Sequence, residues 1–528
     1  MKRNSVVFIA FLERENLGIG YMHAVLSGAG YEVHILDVRK EKAEILQELQ
    51  KLDPLLVGFS VIFENYIYDF QKLIKSLRNQ GIHTHFTAGG HLASLRPEEL
   101  FEIAPELDSM VRFEGEHTIL DLVNHLHLAK DWRKVSGISY RENGSLINNP
   151  LRPLEPDLDV FPFPFRSMAK EYALGKKYTT LLAGRGCIYN CAFCDIREFY
   201  GQPPGPVKRI RQANKVAEEI AFLHDKYDCS IFLFQDDDFP VKVNRTSDWV
   251  KEFCASLKQM KLEEKILWKI NCRPDEVDQD LFGLMKEHGL FQVYLGIEDG
   301  TDEGLHLMDK RLKVADHLEG VQILKELGLS IYYGFMLFQP SSTYTSINKN
   351  LSFLDQISQD GYMPVSFLKM MPYLATRIEK ELKKAGRLKG QPGFLDYDFL
   401  EKSLDDYYFF VSESFNTWFN APGGLSNYLK WDLNYLYLLL HYHGTLRRTG
   451  DYSNAIFGLV AETNHFVIKT MRELSEIFES GKYSMENDPV LDGYRKAIEE
   501  KHRTSLKQAS DLIDRLEVFH LTKGLIVY

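Results

Sequence analysis

The sequence predicts an α/β protein with a doubly wound N-terminal domain, a partial (β/α)6 barrel and a C-terminal helical region. Three observations carry this. Residues 6–125 alternate short apolar runs with helical periodicity, and a second such series begins at Thr179. After about residue 395 the strand signal fades into long amphipathic segments rich in Leu, Tyr, Phe, Glu and Lys. The 528 residues exceed what one core holds.

In the first series, residues 6–10 (VVFIA) read as a strand. Leu17, Tyr21 and Val25 share one helical face, and Gly28 and Gly30 end that helix. Residues 32–37, 55–60, 83–88 and 109–113 supply four more strands, with helical patterns such as 66–78 between them. This alternation implies a parallel sheet covered on both faces. Residues 161–165 (FPFPF) cannot be helical, because alternate prolines hold the chain extended. The expected domains are therefore 1–150, a linker at 151–177, a barrel at 178–394 and a helical region at 395–528. The expected barrel strands are 179–184, 230–234, 266–271, 291–296, 330–337 and 364–371. A helix bearing Val216, Ile220, Leu223 and Tyr227 on one face falls between the first two. In such barrels function sits at the C-terminal ends of the strands.

Composition narrows the class. A net charge of −11 argues against nucleic acid or an anionic membrane surface as a partner. No apolar run reaches the roughly 18–20 residues that span a bilayer, and the most apolar late stretch, 435–442, is short and contains His441. The N-terminal MKRNSVVFIAFLEREN reads as a first strand, not a signal peptide. A cytoplasmic protein is expected. Six cysteines in such a length form no disulfide framework. Cys229, Cys254 and Cys272 lie among apolar neighbours and read as small buried hydrophobes.

The other three crowd into LLAGRGCIYNCAFCDIREFYG, directly after the first barrel strand. Cys187 and Cys191 are four residues apart, and Cys191 and Cys194 three. Clustered thiolates bind soft metals. A structural zinc normally takes four ligands, and neither a fourth Cys nor a His is near. Three thiolates on a four-iron cluster leave one iron open for chemistry.

This CxxxCxxC loop resembles the signature of the radical S-adenosylmethionine (SAM) superfamily. The resemblance implies a [4Fe–4S] cluster held by Cys187, Cys191 and Cys194, whose open iron chelates SAM and whose electron cleaves it to a 5′-deoxyadenosyl radical. Phe193 matches the aromatic position near the adenine, whereas Ile188 stands where many relatives carry Pro. Downstream, FLFQDDDF at 232–239 resembles the FxDDxF segment, so Asp236 and Asp237 would face the SAM ammonium. WKINCRPDEVD offers Arg273. YLGIEDGTDEGLHLMDKRL resembles the LGIESG segment and makes Glu298 a SAM contact. By contrast GFMLFQPSST at 334–343 departs from the usual GFIFGLPGET. The resemblance covers roughly residues 178–385.

The first domain lacks the GxGxxG that admits a dinucleotide pyrophosphate. It resembles instead the Rossmann-like cobalamin-binding domain that precedes many radical SAM barrels. NLGIG brings Leu17 and Gly18, GFSVIF brings Ser60 and Ile62, TAGGHLAS brings Gly89, Gly90 and His91, and FEGE brings Glu114, Gly115 and Glu116. Cobalamin domains of the Asp-x-His-x-x-Gly type ligate cobalt through that His. Here the spacing reads Glu13, Glu15 and Gly18, so Glu15 occupies the His position and the lower face of cobalt is expected to lack a protein imidazole. The methylthiotransferases, which also fuse such a domain to such a barrel, need N-terminal cysteines for a second cluster. This sequence has no cysteine before Cys187.

The expected function is a cobalamin-dependent radical SAM enzyme, first of all a methyltransferase acting on an unactivated carbon, or phosphorus, of a small molecule or peptide. The alternatives are a radical rearrangement, cyclisation or oxidation, and, from another class, a non-catalytic cobalamin or redox sensor. An electron donor such as flavodoxin or ferredoxin is the implied partner. Residues 395–528 are expected to pack on the barrel and help close its cavity.

Overall fold

The structure is a computed structural model that describes residues 3–13, 15–166, 170–242, 247–443 and 449–515. The final part of the predicted helical region, 516–528, lies outside the described residues, as do 167–169 within the expected linker. The chain divides into two compact units. The first comprises residues 1–168, 180–215 and 372–396, and the second residues 169–179, 216–371 and 397–528.

The first unit is built on a seven-stranded sheet of order β2-β1-β3-β4-β5-β6-β7. Its strands are β1 (Ser5–Ala10), β2 (Glu32–Asp37), β3 (Leu56–Ser60), β4 (His85–Gly89), β5 (Ser109–Val111), β6 (Ile138–Glu142) and β7 (Ser145–Asn148). The first five pair in parallel and the last two add antiparallel. Every residue of β1 is buried, as a parallel strand covered on both faces requires. Order 2-1-3-4-5 puts the switch point between β1 and β3, where such sheets take ligands. The FPFPF strap is extended, as its prolines demand. It packs on the helix Leu17–Gly28, where Phe165 N–H donates to the Gly20 carbonyl at 3.0 Å. A Cβ on Gly20 would lie 2.6 Å from the Phe165 oxygen, so this crossing requires glycine.

The second unit centres on a six-stranded sheet. Its strands are the antiparallel pair β8 (Lys170–Ala173) and β9 (Lys176–Leu181), then β12 (Cys229–Phe234), β13 (Leu267–Cys272), β14 (Leu290–Glu298) and β15 (Ser330–Phe335); the two-residue ladder that falls between them in the chain, β10 (Gly184–Arg185) with β11 (Arg209–Ile210), belongs to the first unit. The six-stranded order is β15-β14-β13-β12-β9-β8, with β12 to β15 parallel, which makes an open partial barrel. Strand β8 was not foreseen. Segment 364–371, expected as the sixth parallel strand, makes only an isolated bridge between Phe338 and Lys369. Pro364 lacks a donor, and the Val365 and Ser366 amides are taken by the side chains of Asn464 and Tyr333 instead of a ladder.

Beyond residue 400 the unit is helical, chiefly Lys402–Ser414, Leu425–His443, Thr449–Glu479 and Pro489–Arg515. The helix Leu425–His443 packs on the sheet. Leu438 and Leu439 join Ile231, Leu233, Leu267 and Phe291 in one cluster. Asn434 accepts from Gln292 at 2.6 Å and Ser330 at 3.2 Å, and donates to the Tyr332 hydroxyl at 2.7 Å.

Candidate functional site: a pinned cysteine loop and a charged barrel

In the first unit the ends of β1 and β3 are tied together. Asn16 caps the helix Leu17–Gly28, accepting from Ile19 N–H at 3.0 Å, and donates to Ser60 Oγ at 3.2 Å. Ser60, Gly89 and His91 are half-buried at the C-terminal edge of the sheet, and Ile62 is exposed. Gly90 sits at φ 127°, and a Cβ there would lie 2.2 Å from the Val61 oxygen. Glycine is thus required first by the crossing of the β3 and β4 loops. Gly18 is exposed and a Cβ on it would meet only Asn16, at 3.6 Å. Leu17 packs on the cluster of Tyr21, Leu158 and Phe161. Glu15 accepts from Thr180 N–H at 2.6 Å and its hydroxyl at 2.7 Å, and Arg166 stands 3.4 Å away.

The cysteine loop is pinned at both ends. Upstream, Arg185 bonds Glu114 at 3.0 Å and Glu116 at 2.7 Å, while Arg209 binds Glu114 through both carboxylate oxygens at 2.8 Å. Burial disfavours the Arg185 charge, but Glu116 and Glu114 hold it firmly protonated. Burial likewise pushes Glu114 up, yet Arg209 and Arg185 bring it below the usual carboxylate range. Gly186, at φ 79°, would place a Cβ 2.0 Å from the Val207 oxygen, which explains the glycine before Cys187. Downstream, Asp195 holds His91 Nδ1 at 2.7 Å, and the His91 ring stacks on Phe199 at 4.6 Å. Between these pins Cys187, Cys191 and Cys194 are half-buried, and Cys194 N–H donates to the Cys191 carbonyl at 3.1 Å. Among the described residues no three His, Cys, Asp or Glu side chains converge on a single metal ion. Phe193, between the last two cysteines, is also half-buried. Near the loop, burial raises Glu64 to about 7, against the lowering effect of His91 and with help from Asp195 and Glu379.

In the second unit the strand ends carry the charges. Asp236 is buried and Asp237 exposed, so the two neighbours face differently. Asn271 donates to the Asp236 carbonyl at 3.0 Å. Arg273 is buried and committed to Asp275 at 3.1 Å and the Lys310 carbonyl at 2.8 Å. Glu298 follows a bulge in β14 and sits at φ 70°, a costly conformation for a non-glycine residue. Its partner is the buried Lys310, 3.5 Å away. Gly296 and Gly334 leave room for this pair, since a Cβ on either would come within 3.0 Å of a Glu298 oxygen. Lys310 was missed in the sequence although it lies in the LGIEDG-to-DKRL stretch. Lys269, Tyr294 and Lys430 were missed too. Tyr294, in the middle of the sheet, is 36% exposed. The departing QPSST loop is held by Gln339 to Asp299, which also accepts from Asn350 at 3.1 Å.

Residues 10–123 match the B12 binding domain family, and residues 181–354 match the Radical SAM superfamily. An uncharacterised methyltransferase of Pyrococcus horikoshii is 28% identical over 370 residues, 69% of this chain and 77% of its own. An anaerobic magnesium-protoporphyrin IX monomethyl ester cyclase of Cereibacter sphaeroides is 24% identical, covering 68% of this chain and 60% of its own. Among solved structures, the cobalamin-dependent SAM radical enzyme OxsB with aqua-cobalamin shares the fold at a TM-score of 0.71 and 17% identity, covering 97% of this chain and 84% of its own. The methyltransferase TsrM of Kitasatospora setae, with cobalamin and a [4Fe–4S] cluster, does so at 0.61 and 15%, covering 72% and 75%. The protein is a radical SAM enzyme with a B12-binding domain. It belongs to the cobalamin-dependent radical SAM family, whose cofactors are a [4Fe–4S] cluster, SAM and cobalamin.

The residues fit those groups. Three half-buried thiols on a loop fixed at both ends suit a cluster. The switch-point edge, with Ser60, Ile62, Gly89 and His91, suits a large ligand resting on backbone. The loop 11–18 contains no His or Cys that could ligate cobalt. Acidic Asp236 and the Glu298–Lys310 pair suit the amino and carboxylate groups of SAM.

Proposed function

We propose that the protein is a methyltransferase acting on an unactivated carbon, or phosphorus, of a small molecule or peptide. The carrying observation is that one chain joins a B12 binding domain to a radical SAM domain. The methyltransferase name of the Pyrococcus relative supports the same choice. When bound, cluster and SAM supply a carbon-centred radical and cobalamin relays a methyl group.

The residues of this chain have distinct parts in that reading. Cys187, Cys191 and Cys194 hold the cluster, and Arg185, Arg209, Glu114, Glu116, His91 and Asp195 fix the loop that presents them. Phe193, Asp236, Asp237 and Glu298 orient SAM, with Arg273 bracing the strand ends through Lys310. Leu17, Gly18, Ser60, Ile62, Gly89, Gly90 and Gly115 shape the cobalamin face. Glu15 anchors the first loop through Thr180, so that loop offers cobalt no imidazole. The helix Leu425–His443 covers part of the sheet and narrows the barrel interior against water. A flavodoxin or ferredoxin supplies electrons.

The test uses SAM carrying an isotope-labelled methyl group and the true substrate. For a carbon substrate, near-equal 5′-deoxyadenosine and S-adenosylhomocysteine with label in the product is the expected result. The cyclase relative favours a second reading, a cyclisation or oxidation. Deoxyadenosine without S-adenosylhomocysteine, and a product of unchanged carbon count, would establish it.

A further inference from the structure

Two loops of the first unit reach toward the cysteines. The loop after β4 contains Gly90 and His91, and the loop after β5 contains Phe113, Glu114, Gly115 and Glu116. Both lie at the C-terminal ends of parallel strands, where doubly wound sheets take ligands. Their side chains grip the flanks of the cysteine loop. His91 Nδ1 lies 2.7 Å from Asp195, the residue after Cys194. Glu114 holds Arg185 at 3.0 Å and Arg209 at 2.8 Å, and Glu116 holds Arg185 at 2.7 Å. One loop thus fixes the chain after the cysteines and the other fixes it before them.

The two loops are also joined to each other. Buried Ser94 donates to the Gly90 carbonyl at 2.8 Å and accepts from Phe113 N–H at 2.7 Å. The helix Ile196–Gly201, which begins directly after Asp195, rests on both loops. Its Phe199 stacks on His91 at 4.6 Å and tilts against Phe113 at 5.2 Å. Val61 N–H donates to the Gly89 carbonyl at 2.9 Å, and a Cβ on Gly90 would meet the Val61 oxygen, so the loop after β3 is drawn into the same assembly. Breaking a matched buried charge pair is strongly unfavourable, so the charged grip is either kept whole or lost.

We propose that the cluster and cobalamin bind cooperatively, with Asp195–His91 and Arg185–Glu114–Glu116 carrying the coupling. Seating one cluster on three thiols fixes the cysteine loop and with it both flanks. The flanks hold the loops after β4 and β5, so cobalamin meets backbone that is already ordered and loses less entropy on binding. Linkage then requires cobalamin to tighten the cluster by the same factor. This rests on the reading above that cobalamin lies on the edge shaped by Gly89, Gly90 and Gly115. It adds that Asp195 and Arg185, far outside the first alternating series of residues 6–125, set cobalamin affinity. His91 is then a positioning residue.

The test titrates the full chain anaerobically with hydroxocobalamin, first with the cluster reconstituted and then with iron stripped by a chelator. Wild-type protein should bind cobalamin about fivefold or more tightly with the cluster present. Before cobalamin is added, reconstitution should slow hydrogen exchange at residues 89–95 and 113–116. Asp195→Ala removes the acceptor for His91 and should bring the affinity ratio close to one, whereas Asp195→Asn keeps an acceptor and should preserve most of it. If Asp195→Ala does not retain its cluster, His91→Phe takes its place, since it keeps the stack on Phe199 and loses the bond. Circular dichroism confirms that each variant is folded. Equal cobalamin affinity in the two cluster states of the wild type would overturn the proposal. So would an unchanged ratio in the variants, or an equal weakening in both cluster states, which would make the bond architectural only. Slowed exchange with unchanged cobalamin affinity would overturn it by removing cobalamin from these loops. The titrations require no turnover, so a failed methyl transfer counts against the proposed reaction and not against the coupling.

Discussion

Around the cysteine loop of the first unit buried charge is matched, whereas in the second unit some of it is not. In the first, Arg185 and Arg209 are sunk among Glu114 and Glu116, with every charge matched and aromatic rings of Tyr21 and Tyr200 beside the guanidinium groups. In the second, Lys269, Lys430 and Asp432 are buried without a counter-ion within pairing distance among the described residues. Matched charge fixes geometry, because breaking it leaves a costly orphan on either side. Unmatched charge is costly to bury, and burial shifts each of these groups toward its neutral form. The first unit's charges therefore read as architecture around the cysteines, and the second keeps titratable groups whose ionisation burial opposes.

The sharpest way to break that contrast is at the cysteines themselves. Replacing Cys187, Cys191 and Cys194 together by Ala should remove all iron at this site and all SAM cleavage, measured by iron analysis and 5′-deoxyadenosine after anaerobic reconstitution. The fold should survive, since the loop is held by Arg185, Arg209 and His91, not by the thiols. A stable zinc in the native protein would instead overturn the cluster assignment.

Next comes the matched pair. Arg185→Met strands Glu116 in a buried site and leaves Glu114 to Arg209 alone, and the expected destabilisation is about 3–5 kcal/mol. Denaturant unfolding measures it. Iron retention should fall with it, because the loop loses its upstream pin. A second change restoring neutrality, Glu116→Gln, should recover part of the loss, whereas a purely local packing effect would add instead.

How far these features were legible depended on sequence distance. The cysteine spacing, the Gly-Gly loop and Glu298 are local patterns, visible in runs of fewer than ten residues. Both alternating series and the helical tail were legible from periodicity, because apolar faces are set by burial. The function of Glu114, Glu116 and His91 toward the cysteine loop was not. Their partners Arg185, Arg209 and Asp195 lie 71, 95 and 104 residues from Glu114, Glu114 and His91. The β8–β9 hairpin was hidden inside an assumed linker, where only Gly175 marked the turn. Segment 364–371 looked like a strand because it is apolar, and only the competing donors and acceptors of Asn464 and Tyr333 explain why it is none.

A smaller effect comes from Glu64, which burial holds at about 7 in the first unit. Its native pKa lies above the unfolded value, so ionising it costs stability. That cost is absent below pH about 4.5 and grows as pH rises toward and through 7. Glu64→Gln should therefore be as stable as wild type near pH 5 and more stable at pH 8, by roughly 2–3 kcal/mol. Thermal unfolding of the apo-protein across pH 5–8 reads this directly. A constant difference across that range would show that the gain is packing and not charge.

The smallest prediction tests whether an unmatched charge must have a functional partner. Asp432 sits on the same helix as Lys430, fully buried, with both carboxylate oxygens lacking a hydrogen-bond partner. Burial raises it well above the ordinary carboxylate value. Unlike the two lysines, it is closed off on every side, packed near Tyr452, whose hydroxyl donates to its backbone carbonyl at 3.4 Å. A closed site admits no ligand, so here the charge is simply suppressed and the group remains protonated. The native pKa being raised, stability is fullest below the unfolded value and declines as pH climbs toward the native one. Asp432→Asn keeps the shape and removes that decline, so it should match wild type near pH 3 and become progressively more stable than wild type as pH rises above the unfolded carboxylate value. A difference that stayed constant from pH 3 to pH 8 in thermal unfolding would show that packing, and not the suppressed charge, sets it.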